Sequence, residues 1–183
     1  MFLFKAFCCA LNEHIGREWT NMAIEIERKF LIADESWKHS VVCSVHIRDG
    51  LIANDNDRKV RVRIYDKSAT ITLMGHHAGI TRAEFEYPIP LSDAEEIIRT
   101  MCDDHVLEKR RYFVPYEGIN WEIDAYEGIL NGIVLAEIEL KTMDQTLIIP
   151  QWIGREVTGD PKYRKINMFA ERMSTIKSTR LAS

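Results

Sequence analysis

The run Glu25-Ile26-Glu27-Arg28-Lys29 holds the residue types most able to do chemistry in this chain. In a β-strand alternate side chains share a face, so Glu25, Glu27 and Lys29 point the same way. Two carboxylates beside an ammonium suit a site that holds a divalent cation and a phosphate together. The same alternation recurs in Arg61 and Arg63, Glu84 and Glu86, Lys109 and Arg111, Glu122 and Asp124, and Glu137, Glu139 and Lys141. Repeated on strand after strand, it describes a sheet with one charged face.

The elements that must carry this face follow from period and punctuation. Strand-like segments cover roughly 24–32, 41–49, 59–65, 69–74, 81–88, 106–114, 119–126 and 133–141. Turn signals fall between them at Asp66-Lys67-Ser68, Gly75, Glu117-Gly118 and Asn131-Gly132, the last predicting a tight hairpin. Ser92 and Glu95 form a capping box ahead of Ile97, Ile98 and Met101, predicting a helix to about Cys102. A second helix is expected from Asp160-Pro161, its stripe Tyr163, Ile166, Ala170, Met173 and Ile176 packing on the sheet. A short helical turn is expected near Asp34 to Lys38, with Trp37 facing inward. The predicted fold class is α+β: an eight-stranded antiparallel β-barrel with a charged lumen, flanked by a few α-helices.

Antiparallel sheets often leave a charged face in water, with opposite charges paired across strands. Here the charges are grouped by sign, which argues against that arrangement. Glu25/Glu27, Glu122/Asp124 and Glu137/Glu139 crowd carboxylates, a costly arrangement unless a cation binds them. Arg61/Arg63 and Lys109/Arg111 crowd cations that a phosphate chain would satisfy. The intervening Ile24, Ile26, Val60, Val62, Ile64, Phe85, Ile123, Ile138 and Leu140 need burial on the opposite face, beneath helices. A lumen with clusters of both signs fits a metal–polyphosphate complex.

Size and composition set outer bounds. The 183 residues suit one domain, and 46% apolar with 28% charged residues is the balance of a soluble globular protein. A net charge of −4 gives no case for nucleic-acid binding, so anion affinity must come from local clusters. Cys8, Cys9, Cys43 and Cys102 lack zinc-site spacing and are too few for a disulfide scaffold, which favours a reduced, cytoplasmic setting. Met1 to Leu11 is apolar but too short to span a bilayer, and no membrane partner is expected. Residues 1–21 read as an extension, preferably a mis-assigned start ahead of Met22; if real, a loosely attached helix over the barrel. Residues 22–183 form the single domain.

On these residues the chain resembles the CYTH domain, or triphosphate tunnel metalloenzyme, family. The strand Glu25-Ile-Glu-Arg-Lys29 matches its ExExK signature. Val60-Arg-Val-Arg63, Arg82-Ala-Glu-Phe-Glu86, Lys109-Arg-Arg111, Trp121-Glu-Ile-Asp124, Ala136-Glu-Ile-Glu139 and Trp152 to Asp160 continue the match. The resemblance implies an eight-stranded tunnel that binds a triphosphate with Mg²⁺ or Mn²⁺. Members include inorganic triphosphatases, thiamine triphosphatases and class IV adenylyl cyclases, and homodimers are common among them. By position, Glu25, Glu27, Glu137 and Glu139 would hold the metal. Lys29, Arg61, Arg63, Arg82, Lys109, Arg111 and, more weakly, Arg155 would bind phosphate. Lys29, Glu122 and Asp124 would serve catalysis, the acids as further ligands or water-orienting groups.

Three departures from the family pattern bear on activity. Met74 stands where a lysine is expected, in Thr72-Leu73-Met74, and removes one phosphate contact; His76 and His77 follow it. Asp49-Gly50-Leu51 replaces an expected Gln-Gly-Tyr, and Lys165 replaces an expected asparagine. The implied reaction is metal-dependent hydrolysis of a triphosphate by in-line attack of water. Alternatives are a cyclase forming cyclic AMP and pyrophosphate, or a binder of polyphosphate or nucleotides without turnover.

Overall fold

The computed structural model describes residues 24–102 and 105–181; the extension expected over residues 1–21 lies outside them. Nine strands run in the order β1 (Ile24–Ile32), β2 (Cys43–Asp55), β3 (Arg58–Ile64), β4 (Ala69–Met74), β5 (Thr81–Ile89), β6 (Val106–Tyr116), β7 (Ile119–Tyr126), β8 (Val134–Glu139) and β9 (Ile153–Glu156). Helix α1 (Leu91–Met101) lies between β5 and β6, and α2 (Lys165–Leu181) follows β9. The sheet order is β5-β4-β3-β2-β6-β7-β8-β1, and a further β1–β5 pairing closes it into an eight-stranded antiparallel barrel. β1 makes this closure by changing partners along its length. Glu25 pairs with Arg82 of β5, Glu27 with Glu139 of β8, and Phe30 with Glu156 of the extra strand β9.

The alternation sends charges into the lumen and branched apolar residues outward, but Ile24 and Phe85 are exposed where burial beneath helices is expected, because helix α1 covers only part of the outer face. Phe30, Val114, Trp121, Ile123, Ala136 and Ile138 form an outer core with Trp37 and Trp152. Phe30 and Trp152 both meet the Trp121 ring edge-on, at 5.5 and 5.7 Å between centroids. Trp37 comes from a 3₁₀ turn at Ser36–Ser40, so the turn expected there forms. Helix α1 covers Val62, Ile64 and Ala69 through Ala94, Ile97 and Ile98. Gly50 permits this approach: a Cβ there would come within 2.6 Å of the Cys102 sulfur.

At one end the lumen face itself turns apolar. Leu31, Leu107, Tyr126 and Leu135 gather there against Leu130 and Met168. Helix α2 therefore roofs part of one barrel end instead of lying along the wall. Met168 and Phe169 are buried, whereas Ala170 and Ile176 of the anticipated stripe are exposed. Only the first turns of α2 reach the barrel. The capping box is also absent, because the helix starts earlier: Pro90 is the N-cap and its carbonyl accepts from Asp93 and Ala94.

Turns account for the remaining differences. β2 and β3 meet at Asn56-Asp57, both in the left-handed region, with φ of 48° and 65°. β2 thus runs to Asp55, past a register shift between Leu51 and Ala53. Asn131-Gly132 is not a two-residue hairpin, since a 3₁₀ turn at Gly128–Leu130 lengthens the connection and buries Leu130. Among the described residues no helix is long and apolar enough to cross a membrane.

Candidate functional site

Two adjoining cavities occupy the barrel interior. A charged one of about 170 Å³ is lined by Glu25, Glu27, Arg61, Arg63, Arg82, Glu84, Glu86, Arg111, Glu122, Glu137 and Glu139. A mixed one of about 190 Å³, toward α2, adds Lys29, Asp49, Leu51, Lys59, Met74, His77, Arg164 and Phe169. Glu25, Glu27, Arg61, Arg82 and Lys165 line both and mark the neck between them.

One wall is built by β1, β8, β7 and β6. Register places Glu27 opposite Glu139, Lys29 opposite Glu137, and Glu137 opposite Glu122. The Lys29 ammonium lies 2.9 Å from Glu137 and 3.3 Å from Glu27. Arg111 donates to Asp124 at 2.7 and 2.8 Å and to Glu137 at 2.8 Å, and also pairs with Glu122. Lys109 donates to Asp124, and both are fully buried. The opposite wall is β3 to β5. There Arg82 donates to Glu25 at 2.5 Å and Glu84 at 2.7 Å, and Arg61 donates to Thr72 at 3.2 Å. Arg63 is committed to Asp49, through two parallel bonds of 2.6 and 2.9 Å.

These contacts set the ionisation of the lumen. Burial, with Glu84 nearby, pushes the Glu25 carboxyl up against the pull of Arg82. Burial likewise raises Glu122 despite Arg111. Burial would raise Asp124 too, but Arg111 and Lys109 outweigh it and hold that carboxyl below its usual range. Glu137 is held well down in the same way, by Lys165, Lys29, Lys109 and Arg111 acting against burial. Burial and Arg111 lower the Lys109 ammonium to about 7, opposed by Asp124.

The structure brings Glu25, Glu27, Lys29, Arg61, Arg63, Arg82, Lys109, Arg111, Glu122, Asp124, Glu137 and Glu139 to one barrel interior. It does not bring Arg155. That residue sits on β9 outside the barrel, 62% exposed, with its guanidinium 3.7 Å from Asp160 and above the Tyr163 ring. β9 extends the sheet past the closure, so its side chains have no lumen to enter.

Sequence reasoning passed over several lining residues. Lys59 shares the lumen parity of Arg61 and Arg63, so alternation alone could have found it, whereas Glu84 and Glu86 read as part of the charged face without a role in the site. Asp49 required the β2–β3 register that sets it opposite Arg63. Lys165 required the path of the chain into α2, which carries its ammonium to 3.9 Å from Glu137. Outside the barrel, ligand atoms of His46, Glu108 and Glu127 lie within 4.8 Å of one another, but Arg110 also approaches Glu127 there.

Comparison with known proteins gives a consistent result. A CYTH domain family model matches residues 23–167. An inorganic triphosphatase of Acetivibrio thermocellus is 43% identical over 147 residues, spanning 80% of this chain and 94% of that protein. One from Nitrosomonas europaea is 32% identical over 145 residues, spanning 76% and 93%. A crystal structure of an inorganic triphosphatase superposes with a TM-score of 0.56 at 29% identity, covering 81% of this chain and 95% of that one. A Pyrococcus horikoshii protein shares the fold at 20% identity and a TM-score of 0.52, over 66% of this chain and 80% of that one.

Proposed function

The chain belongs to the CYTH domain family, and on that premise we propose that it hydrolyses a triphosphate inside its barrel, inorganic tripolyphosphate being the first candidate. The observation that carries this reading is the in-register facing of Glu27 with Glu139 and of Glu122 with Glu137, beside Lys29 and Arg111. Like charges directly opposite are unfavourable in a sheet, and a divalent cation bridging them turns that cost into a site. The raised carboxyls of Glu25 and Glu122 fit the same chemistry, since burial penalises each charge more than its arginine partner relieves it and a bound cation would favour the ionised form.

In this reading Glu25, Glu27, Glu137 and Glu139 hold Mg²⁺ or Mn²⁺, hard ions that take oxygen ligands. A divalent cation there supplies charge neutralisation at phosphate oxygens and acidifies bound water. The chain's own groups do the rest. Lys29, Arg61, Arg82, Lys109 and Arg111 exchange carboxylate partners for phosphate oxygens, so their donors are already oriented before substrate arrives. Asp124, gripped by Lys109 and Arg111, positions those two donors. Glu122, with its raised carboxyl at the cavity surface, is the group placed to take a proton from the attacking water. Arg63 is held by Asp49 and shapes the lumen wall more than it meets phosphate.

The test is product analysis with tripolyphosphate and with ATP, in Mg²⁺ and in EDTA. Release of phosphate from tripolyphosphate, abolished by EDTA, is the expected result. Cyclic AMP and pyrophosphate from ATP would make the protein a cyclase. Binding without turnover in a folded sample would make it a receptor.

A further inference from the structure

We propose that Lys59 is a phosphate-binding residue, stationed at the α2 end of the tunnel to hold the outermost phosphate of the substrate. The proposal rests on the triphosphate reading above and names a residue which that reading does not use. β3 offers Lys59, Arg61 and Arg63 to the lumen, and their surroundings differ. Arg63 is closed off by its two bonds to Asp49, and Arg61 is shared between Thr72 and the carboxylates of Glu84 and Glu86, 3.6 and 3.8 Å away. Lys59 reaches the mixed cavity and lies 3.3 Å from Asp57, in the adjoining turn.

Asp57 is a shared counter-ion. Arg164 approaches it at 3.9 Å, and the His77 backbone N–H donates to it at 3.4 Å. One carboxylate therefore serves both Lys59 and Arg164, leaving positive charge in excess at this end of the lumen. The field is felt by the neighbours: after burial, Arg82 and Arg164 lower Lys59 against the pull of Asp57. After burial, Arg82, Lys59 and Arg164 lower His77 as well. Lys59 is largely covered and Arg164 partly exposed, and cations that outnumber their shared carboxylate form a site for an anion. Directly across β3–β4, Lys59 is in register with Met74, a buried thioether that offers phosphate nothing. Paired positions on neighbouring strands deliver their side chains to the same space. Lys59 therefore supplies from β3 the ammonium that β4 lacks at Met74.

The register pair permits a direct test, moving the charge from one strand to its neighbour. Phosphate release from tripolyphosphate with Mg²⁺ is measured for wild type, Lys59→Met, Lys59→Met with Met74→Lys, and Asp57→Asn, each checked for an unchanged melting profile. Lys59→Met is expected to raise KM about tenfold with little change in kcat, the loss of one charge-assisted hydrogen bond. The double variant is expected to recover most of that loss. Asp57→Asn is expected to leave KM unchanged or lower it, because the competing carboxylate is gone. A Lys59→Met protein with wild-type KM overturns the proposal. So does an Asp57→Asn protein that copies the Lys59→Met defect, since Lys59 would then act only by holding the turn. If wild type releases no phosphate, the triphosphatase reading fails alone, and calorimetric titration with tripolyphosphate decides Lys59. Weaker binding by Lys59→Met supports the station; equal binding, or none by wild type, removes it.

Discussion

Glu27 is the lumen carboxylate whose loss should separate chemistry from folding. It faces Glu139 and remains partly accessible, so Glu27→Gln relieves a repulsion while removing one of the proposed metal ligands. Turnover should fall by on the order of 100-fold with no loss of thermal stability, the magnitude typical of one lost electrostatic contact in a dry site. Activity and melting assays on one preparation check both halves. The raised carboxyls of Glu25 and Glu122 give a second prediction. On the proposed assignment a bound cation needs Glu25 ionised and is favoured by charge on nearby Glu122, and a raised pKa means protons compete from a higher pH than the usual ~4.3 of glutamate. Mn²⁺ affinity should therefore weaken as pH falls from neutrality, before ordinary carboxylates titrate; a titration series at descending pH reads it. Asp49 is the opposite case. Burial would raise it, but Arg63 and Arg61 hold it well below its usual range, so it contributes stability above its unfolded pKa that is lost as pH falls through the folded value. Asp49→Asn strands the buried Arg63 guanidinium and should cost about 3 kcal/mol, measured by urea unfolding, while flattening the acid limb of the stability profile. In the sequence Asp49 read as a stray negative charge where the family pattern has glutamine. Only the register that sets it against Arg63 reveals it as that residue's partner.

Helix α1 depends on one missing side chain. Gly50 to Ala places a methyl 2.6 Å from the Cys102 sulfur and 3.0 Å from Val62, so the helix end must lift from β2. The expected cost is about 1–3 kcal/mol, as for overpacking elsewhere, with partial recovery when Cys102 is also made alanine. Thermal melts of the single and double variants check it. Elements differed in how plainly the sequence announced them, and the reason is where their determinants lie. Strands β1, β4, β5 and β7 are written largely in alternation and sit where alternation puts them. β2 extends beyond its sequence signal because its register shift at Leu51/Ala53 breaks the period and its tail Asn54-Asp55 is polar. β9 exists because β1 leaves an edge beyond β5, a fact of closure with no local signature. Arg155 is illegible for the same reason, since nothing near it in sequence shows which side of that edge it occupies. The lumen residues on regular strands were legible for the converse reason: once closure is granted, parity alone decides what faces inward. α2 has a convincing apolar stripe, but its first turns reach the barrel end and the rest passes beyond it, which no periodicity could foretell.

As a whole the molecule is a closed ring of strands with its charges turned inward and its apolar faces outward, covered by helices and loops over β1, β3, β7 and β8 and left open at Leu73 and Phe85 on β4 and β5. Ring closure leaves the eight barrel strands without a long free edge, which removes the usual template for edge-to-edge association. It also lets opposite charges meet from all sides, so the pairing of Arg82 with Glu25 depends on the same seam that joins β1 to β5. That seam has a cost in time. β1 is synthesised before every strand it will touch, and its partners β5, β8 and β9 arrive one after another as the chain grows. Until β8 emerges, Ile26 and Phe30 have no complete surface to cover them, and Glu27 and Lys29 are bare to water. Such distant pairing is slow and leaves an amphipathic strand exposed during translation. A longer pause before Glu137 and Glu139 are made should therefore lower soluble yield, which expression of genes recoded between β5 and β8 would measure.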